Sequence, residues 1–206
     1  MKKIIVITGH YGAGKTNFAV NLALKLSHEG HKSAVADLDI VNPYFCTHEF
    51  GKMFEEAGIT LVASNIKGTS SDVPAVNLNV GGVLANHDVL IIDAGGDDEG
   101  AKVLGRYAPE LERVGYEMYY VVNCNRIQTQ TAEATVQVLR AIESACGLKA
   151  TAIFNNSHLC GETTADTFAE SLPYADEVAA LTGLPLLNRD VEAFPIEVYV
   201  KLPWFM

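Results

Sequence analysis

The 206-residue chain is 49% hydrophobic and carries 25 acidic against 15 basic residues, a formal charge of -10. That length and apolar content fit one domain over residues 1–206 with a well-covered core, while the negative balance works against a phosphate backbone, so no nucleic-acid partner is expected. No apolar run approaches the ~18 residues of a membrane span and no cleavable leader precedes the first apolar segment, which predicts a cytoplasmic protein without a membrane partner.

The run Ile4-Ile5-Val6-Ile7 reads as a buried strand. It leads into Gly9-His10-Tyr11-Gly12-Ala13-Gly14-Lys15-Thr16, where two spaced glycines precede Lys-Thr as in phosphate-cradling loops. Gly9, Gly12 and Gly14 let the backbone curl with consecutive N–H groups facing inward, where side chains would collide with phosphate oxygens. A helix beginning near Lys15 adds the positive end of its dipole, Lys15 adds a full charge for the β- and γ-phosphates, and the Thr16 hydroxyl suits Mg²⁺. Gly9 to Thr16, with His10, Tyr11 and Ala13 inside it and Asn17 directly after it, is therefore the candidate nucleotide site.

Phe18, Ala19, Leu22, Ala23 and Leu26 share one helical face opposite Asn17, Asn21, Lys25 and His28, and Gly30 marks the helix end. Ser33–Ala36 is a short second strand closed by Asp37-Leu38-Asp39, two carboxylates at the edge where open α/β sheets bind ligands. Pro43 opens an expected helix through Phe54, followed by a strand over Thr60–Ala63. The polar loop from Asn65 to Asp72 reads either as a lid or as a plain surface connection. Val89–Asp93 is an apolar strand ending in a carboxylate and followed by Ala94-Gly95-Gly96-Asp97, a Walker B reading. Asp93 would hold water of a Mg²⁺ shell, and the glycines, Gly96 among them, would let the backbone approach a γ-phosphate.

A helix from about Asp98 carries Ala101, Leu104, Tyr107 and Leu111; a strand over Met118–Val122 ends at Asn123; a helix spans Thr131 to Cys146. A strand over Thr151–Phe154 ends in Asn155-Asn156, Ser171 and Pro173 mark a helix start that Gly183 stops, and Pro185–Leu187 is a last strand. Cys46, Cys124, Cys146 and Cys160 form no C-x-x-C pair and read as reduced thiols. Strands alternating with helices predict an α/β fold: three layers, a mostly parallel sheet with helices on both faces.

In this order the pieces resemble the MinD/ParA and CobQ/CobB group of P-loop nucleotide-binding proteins over most of the chain, through Gly9–Thr16, Asp37-Leu38-Asp39, Asp93–Gly96 and Asn155. The resemblance implies a P-loop nucleoside triphosphate hydrolase fold with ATP and Mg²⁺ as ligands. It assigns the attacking water to Asp39, the metal side to Thr16, Asp39 and Asp93, and the adenine edge to Asn155. Such proteins usually carry a further lysine in Lys-Gly-Gly-x-Gly-Lys that reaches a partner's nucleotide; His10 and Tyr11 stand at those positions, so an ATP-dependent homodimer would lack its bridging charge. The basic amphipathic C-terminal helix with which MinD-type proteins bind membranes has no counterpart in Ile196–Met206, which contains Pro203 and has Lys201 as its only base.

The expected function is a Mg²⁺-dependent, slow ATPase acting as a nucleotide-dependent switch, with Lys15, Asp39 and Asp93 as catalytic residues. An ATP-dependent small-molecule kinase or ligase, and a nucleotide-gated binding module with negligible hydrolysis, are the alternatives. Adenine is expected over guanine, because no N-K-x-D element is present: Asn123 is followed three residues on by Arg126, Asn155 by His158 and Asn156 by Leu159. The client protein or small-molecule acceptor is not readable from the sequence.

Overall fold

The computed structural model describes residues 2–39, 50–62, 78–96, 98–158, 163–189 and 196–199. The helix onset at Pro43, the Asn65–Asp72 loop, Asp97, Cys46 and Cys160 lie outside these residues.

Six strands build the centre: β1 (Lys3–Gly9), β2 (Ser33–Asp37), β3 (Thr60–Val62), β4 (Val89–Asp93), β5 (Glu117–Val122) and β6 (Ala152–Asn155). They lie in the order β3-β2-β4-β1-β5-β6, and every neighbouring pair is parallel. Parallel strands are covered on both faces, which is why β1 and β4 are apolar almost without interruption.

Alternate residues point to opposite faces. On one face, Ile5, Ile7, Val35, Ile91 and Val121 pack with Phe18, Ala19, Leu22 and Ala23 of α1 (Lys15–His28) and Phe54 of α2 (Gly51–Glu56). On the other, Ile4, Val6, Ala34, Leu90, Ile92 and Met118 pack with α3 (Val80–Asn86), α4 (Asp98–Gly105), α5 (Ala108–Val114), α6 (Ala132–Cys146) and α7 (Ala165–Thr182). Helices therefore cover both faces, as expected from the alternation of elements.

Four local features differ from the sequence reading. Helix α3 was not expected; the Asn79 side chain caps it by accepting from the Gly82 N–H at 2.8 Å. The single helix expected from Asp98 is two, α4 and α5. A Cβ on Gly105 would lie 3.2 Å from the Cys146 carbonyl oxygen, so α4 ends packed tightly on α6, and Pro109 starts α5 where its missing N–H is harmless. Helix α7 begins at a capping box in which Thr164 and Thr167 satisfy each other's backbone N–H groups. It runs through Pro173, giving up one helical hydrogen bond there. Pro185–Leu187 is an isolated parallel bridge, Ile153 to Leu186, instead of a full strand. No helix among the described residues is long and apolar enough to cross a membrane.

Candidate nucleotide-binding site

The loop between β1 and α1 opens at the carboxyl edge of the sheet, with β1 in the middle of the strand order. Gly12 and Gly14 have φ of 74° and 88°, the left-handed region that side chains disfavour, and Gly14 is the residue from which α1 starts. A Cβ on Gly9 would lie 2.3 Å from the Val121 carbonyl oxygen, so only glycine fits where the loop leaves β1 beside β5. The first N–H groups of α1 have no earlier turn to bond to and face the loop's opening.

The loop's outward carbonyls are taken up by two later segments. Asn156, just after β6, donates Nδ2 to the Ala13 carbonyl at 2.7 Å. Arg126, in the loop after β5, donates Nε to the Gly12 carbonyl at 2.7 Å. A trans peptide sets each C=O opposite the following N–H, so an outward Ala13 carbonyl aims the Gly14 N–H inward. A Cβ on Gly14 would meet Asn156 Nδ2 at 2.2 Å. Neither Asn156 nor Arg126 was singled out from the sequence, although both follow strands whose ends form the ligand edge.

Strand register supplies the acidic side. Asp37 and Asp93 are Cα partners on adjacent strands, with the parity of Val35 and Ile91, so both lie on the α1 face, where Lys15 and Thr16 begin the helix. Asp37 Oδ1 accepts from the Asp39 N–H at 3.0 Å, which folds the chain back after β2. A Cβ on Gly95 would be 3.4 Å from Asp39 Oδ1, so that carboxylate sits beside the glycine turn after β4. One on Gly96 would be 2.1 Å from the Gly9 carbonyl oxygen and 2.7 Å from Lys15 Nζ. Lys15 is buried, its ammonium making a long 3.4 Å bond to the His10 carbonyl. The structure thus brings Lys15, Thr16, Asp37, Asp39, Asp93 and Gly96 to one place.

Asp93 is fully buried and neither of its oxygens accepts a hydrogen bond among the described residues. Burial, and then the neighbouring Asp37 charge, push its carboxyl well above the usual carboxylate range. Lys15 and the nearby Thr16 hydroxyl pull the other way, and Asp39 adds to the upward push. A buried carboxylate without a donor is costly, and a cation arriving with an anionic ligand relieves it. No group of three or more His, Cys, Asp or Glu side chains among the described residues could hold a metal ion by itself. The Asp93 carboxylate and the Thr16 hydroxyl are oxygen donors of the kind that suits Mg²⁺, which keeps most of its waters and takes one or two protein ligands alongside phosphate oxygens.

Two expected site residues are engaged elsewhere. Asn155 is buried, donates Nδ2 to Ser171 Oγ at 2.8 Å and accepts on Oδ1 from the Ser157 N–H at 3.1 Å. Its backbone N–H and carbonyl are paired with the Asn188 amide, so it ties β6 to α7 and faces inward. The Asn17 amide donates to the Glu197 carbonyl at 2.9 Å and accepts from the Tyr199 N–H at 2.8 Å. His10 places Nδ1 2.7 Å from the Tyr11 carbonyl oxygen, while the Tyr11 side chain is 61% exposed.

A glycine loop between the first strand and first helix of a parallel sheet, above a buried lysine and a strand-end carboxylate, is the arrangement of an α/β P-loop NTPase fold. Residues 1–71, which hold the loop, Asp37 and Asp39, match the ParA family, described as NUBPL iron-transfer P-loop NTPase. A cytosolic Fe-S cluster assembly factor Nubp2 homolog from Drosophila persimilis is 32% identical over 76 residues, 31% of this chain and 30% of that protein. The chain thus spans under a third of that relative's length, and the MinD/ParA-type resemblance is borne out.

Solved structures share the fold. The signal recognition particle receptor FtsY from Elizabethkingia anophelis aligns with TM-score 0.60 and 17% identity over 95% of this chain and 62% of its own. FtsY from Mycoplasma mycoides gives 0.63 and 15% over 94% and 65%. The Signal Recognition Particle 54 kDa protein from Aeropyrum pernix K1, solved with GDP, gives 0.58 and 20% over 90% and 40%.

Proposed function

We propose that the protein is a Mg²⁺-dependent ATP-binding switch that hydrolyses its nucleotide slowly. The observation that carries this reading is the unpartnered, buried Asp93 carboxylate beside Lys15 and Thr16, next to a loop whose packing admits no side chain at Gly9, Gly14 or Gly96.

On this reading the inward N–H groups of the loop and of the first turn of α1 bind the phosphates, and the Lys15 ammonium exchanges its long bond to His10 for phosphate oxygens. The Thr16 hydroxyl and Asp93 would hold Mg²⁺, which would supply neutralisation of the charge that develops on the transferred phosphoryl group. Asp39, beside the Gly95-Gly96 turn, orients the attacking water, and Gly96 admits the γ-phosphate next to Lys15. Asp37 fixes the Asp39 backbone and raises the local negative potential. Adenine is the favoured base, since the sequence has no N-K-x-D element to present a carboxylate to guanine N–H groups.

The relative's name refers to iron–sulfur assembly. Thiolate ligands would be needed to hold such a cargo, and among the described residues Cys124 and Cys146 are single free thiols, Cys146 buried. The switch reading therefore leaves the client open.

Steady-state phosphate release from purified protein tests the proposal, with Lys15→Ala as the control. Slow, Mg²⁺-dependent release without any acceptor, lost in the control, supports the switch. Release only when a metabolite pool is added points to a kinase or ligase, and ATP binding without release to a gated module.

A further inference from the structure

We propose that Asn156 is a positioning residue for the phosphate loop: its amide selects, of two orientations of the Ala13–Gly14 peptide, the one that turns an N–H toward an anion. The inference rests on the ATP-binding reading above and gives Asn156 no contact with the nucleotide.

Gly14 is the residue at which the loop becomes α1. Its N–H bonds to nothing among the described residues, whereas the Ala13 N–H before it is spent on the His10 carbonyl at 3.1 Å. A trans peptide holds a C=O and the next N–H on opposite sides, so the direction of the Ala13 carbonyl fixes that of the Gly14 N–H. Glycine is open to both signs of φ, so residue 14, with φ of 88°, itself opposes neither orientation of the peptide. Turned over, the peptide would present a carbonyl oxygen to the phosphates in place of an N–H.

Asn156 removes the choice. Its Nδ2 donates to the Ala13 carbonyl at 2.7 Å, and Ala13 has no exposed surface, so water cannot take the amide's place. The carbonyl oxygen can only accept, which identifies the facing atom as the amide nitrogen. That nitrogen would lie 2.2 Å from a Cβ on residue 14, so the side chain that glycine lacks is the space the amide fills. A buried carbonyl stripped of its donor costs more than the bond contributes, and this bias holds the peptide in one orientation.

The asparagine is fixed from behind. Its N–H donates to the Val122 carbonyl of β5 at 2.8 Å, and its carbonyl accepts from the His158 N–H at 2.7 Å. Ser157 ties the loops after β5 and β6 together, its N–H donating to Asn155 Oδ1 and its Oγ accepting from the Cys124 N–H, both at 3.1 Å. The amide is therefore aimed before any ligand arrives, and the sheet sets the direction of the Gly14 N–H.

The test is calorimetric titration of Mg-ATP, and of inorganic triphosphate with Mg²⁺, into wild type, Asn156→Ala and Asn156→Asp. Amide NMR spectra and melting temperatures of the unliganded proteins accompany it. Inorganic triphosphate has no base, so Asn156→Ala should lose about tenfold or more in affinity for both ligands, by the same factor. The aspartate keeps the side chain's shape but sets an acceptor against the Ala13 carbonyl, so it should lose at least as much. Outside the loops after β5 and β6, the largest amide shifts in both variants should fall at Gly14 and Lys15. Unchanged triphosphate affinity in Asn156→Ala overturns the inference, and joined to a loss for ATP it would make the residue a contact to base or sugar. Wild-type affinity in Asn156→Asp also overturns it, by leaving only the side chain's volume. So do shifts spread across the sheet, or variants that fail to fold, which would make the asparagine a general brace. A wild type that binds ATP but not triphosphate overturns it too, since a loop set in advance needs no base. Wild type that binds neither ligand defeats the ATP reading and this inference together.

Discussion

Gly96 and Asp93 carry the sharpest consequences of single atoms. The nearest neighbours of a Cβ at Gly96 are a backbone oxygen of the phosphate loop at 2.1 Å and the Lys15 ammonium at 2.7 Å. Gly96→Ala should therefore leave the sheet intact while displacing Lys15. A circular dichroism spectrum like wild type with ATP affinity lowered about tenfold or more is the expected pair of results. Asp93 makes the opposite kind of statement, because its charge is unfavourable in the empty protein and useful only with a cation nearby. Replacing it with asparagine should raise the melting temperature of the unliganded protein, a gain of about 1 kcal/mol, and remove the Mg²⁺ dependence of ATP binding. Parallel thermal melts and titrations with and without Mg²⁺ check both halves, and a melting temperature lowered by the substitution would contradict the account of Asp93.

Among the elements, the joint between α6 and β6 depends on one buried acid. Glu143 accepts from Arg140 at 2.7 Å, from Lys149 at 3.1 Å and from the Ala150 N–H at 3.1 Å, just before β6 begins. Burial alone would raise its carboxyl, but hydrogen bonds from Arg140, Lys149 and the Ala150 backbone outweigh it and hold the group below its usual value of 4.5. A carboxyl depressed in the folded state stabilises the fold above that value and loses its contribution as pH falls through the lower folded value. Glu143→Gln should thus cost about 2 kcal/mol near neutral pH. The gap from wild type, measured by urea unfolding, should narrow steadily as the pH is taken below 4.5.

Elements whose signals are local were legible in the sequence. The loop glycines, the apolar strand ahead of them and the strand-end aspartates each follow from chemistry within a few residues, and Asp37 and Asp93 fell into register because both close equivalent strands. What was not legible depends on distant partners. Asn17 and Asn155 looked available because Glu197, Tyr199 and Ser171 are remote in sequence. Arg126 and Asn156 looked like ordinary loop residues because the carbonyls they serve belong to Gly12 and Ala13. The start of α7 was misplaced for a different reason: Pro173 is a strong local signal, and the Thr164–Thr167 cap that precedes it is a weak one.

At the scale of the whole molecule, the question is whether one copy suffices. His10 stands at the bridging position of the related proteins, and its ring is turned onto the Tyr11 carbonyl of its own loop. His10→Lys should create the missing permanent cation and strengthen ATP-dependent self-association about tenfold or more over wild type. Sedimentation velocity with a non-hydrolysable ATP analogue measures this, and a substitution that leaves the association constant unchanged would dissociate dimerisation from this position.

Asn17 and Asn21, one turn apart on α1, grip the backbone of residues 196–199 like the edge of a strand. Both amides donate to the Glu197 carbonyl at 2.9 Å, while their oxygens accept from the Tyr199 and Glu197 N–H groups at 2.8 and 2.9 Å. The helix that begins at the phosphate loop therefore has a handle along its side, supplied from the far end of the chain. A ligand that steadies the first turn of α1 steadies this handle as well, and the two must be thermodynamically linked. Hydrogen exchange at the Glu197 and Tyr199 amides should slow when nucleotide binds, and Asn21→Ala, which lies outside the pocket, should weaken the effect. The signal of an occupied site would then be readable at residues 196–199, remote in sequence from the loop that holds the nucleotide.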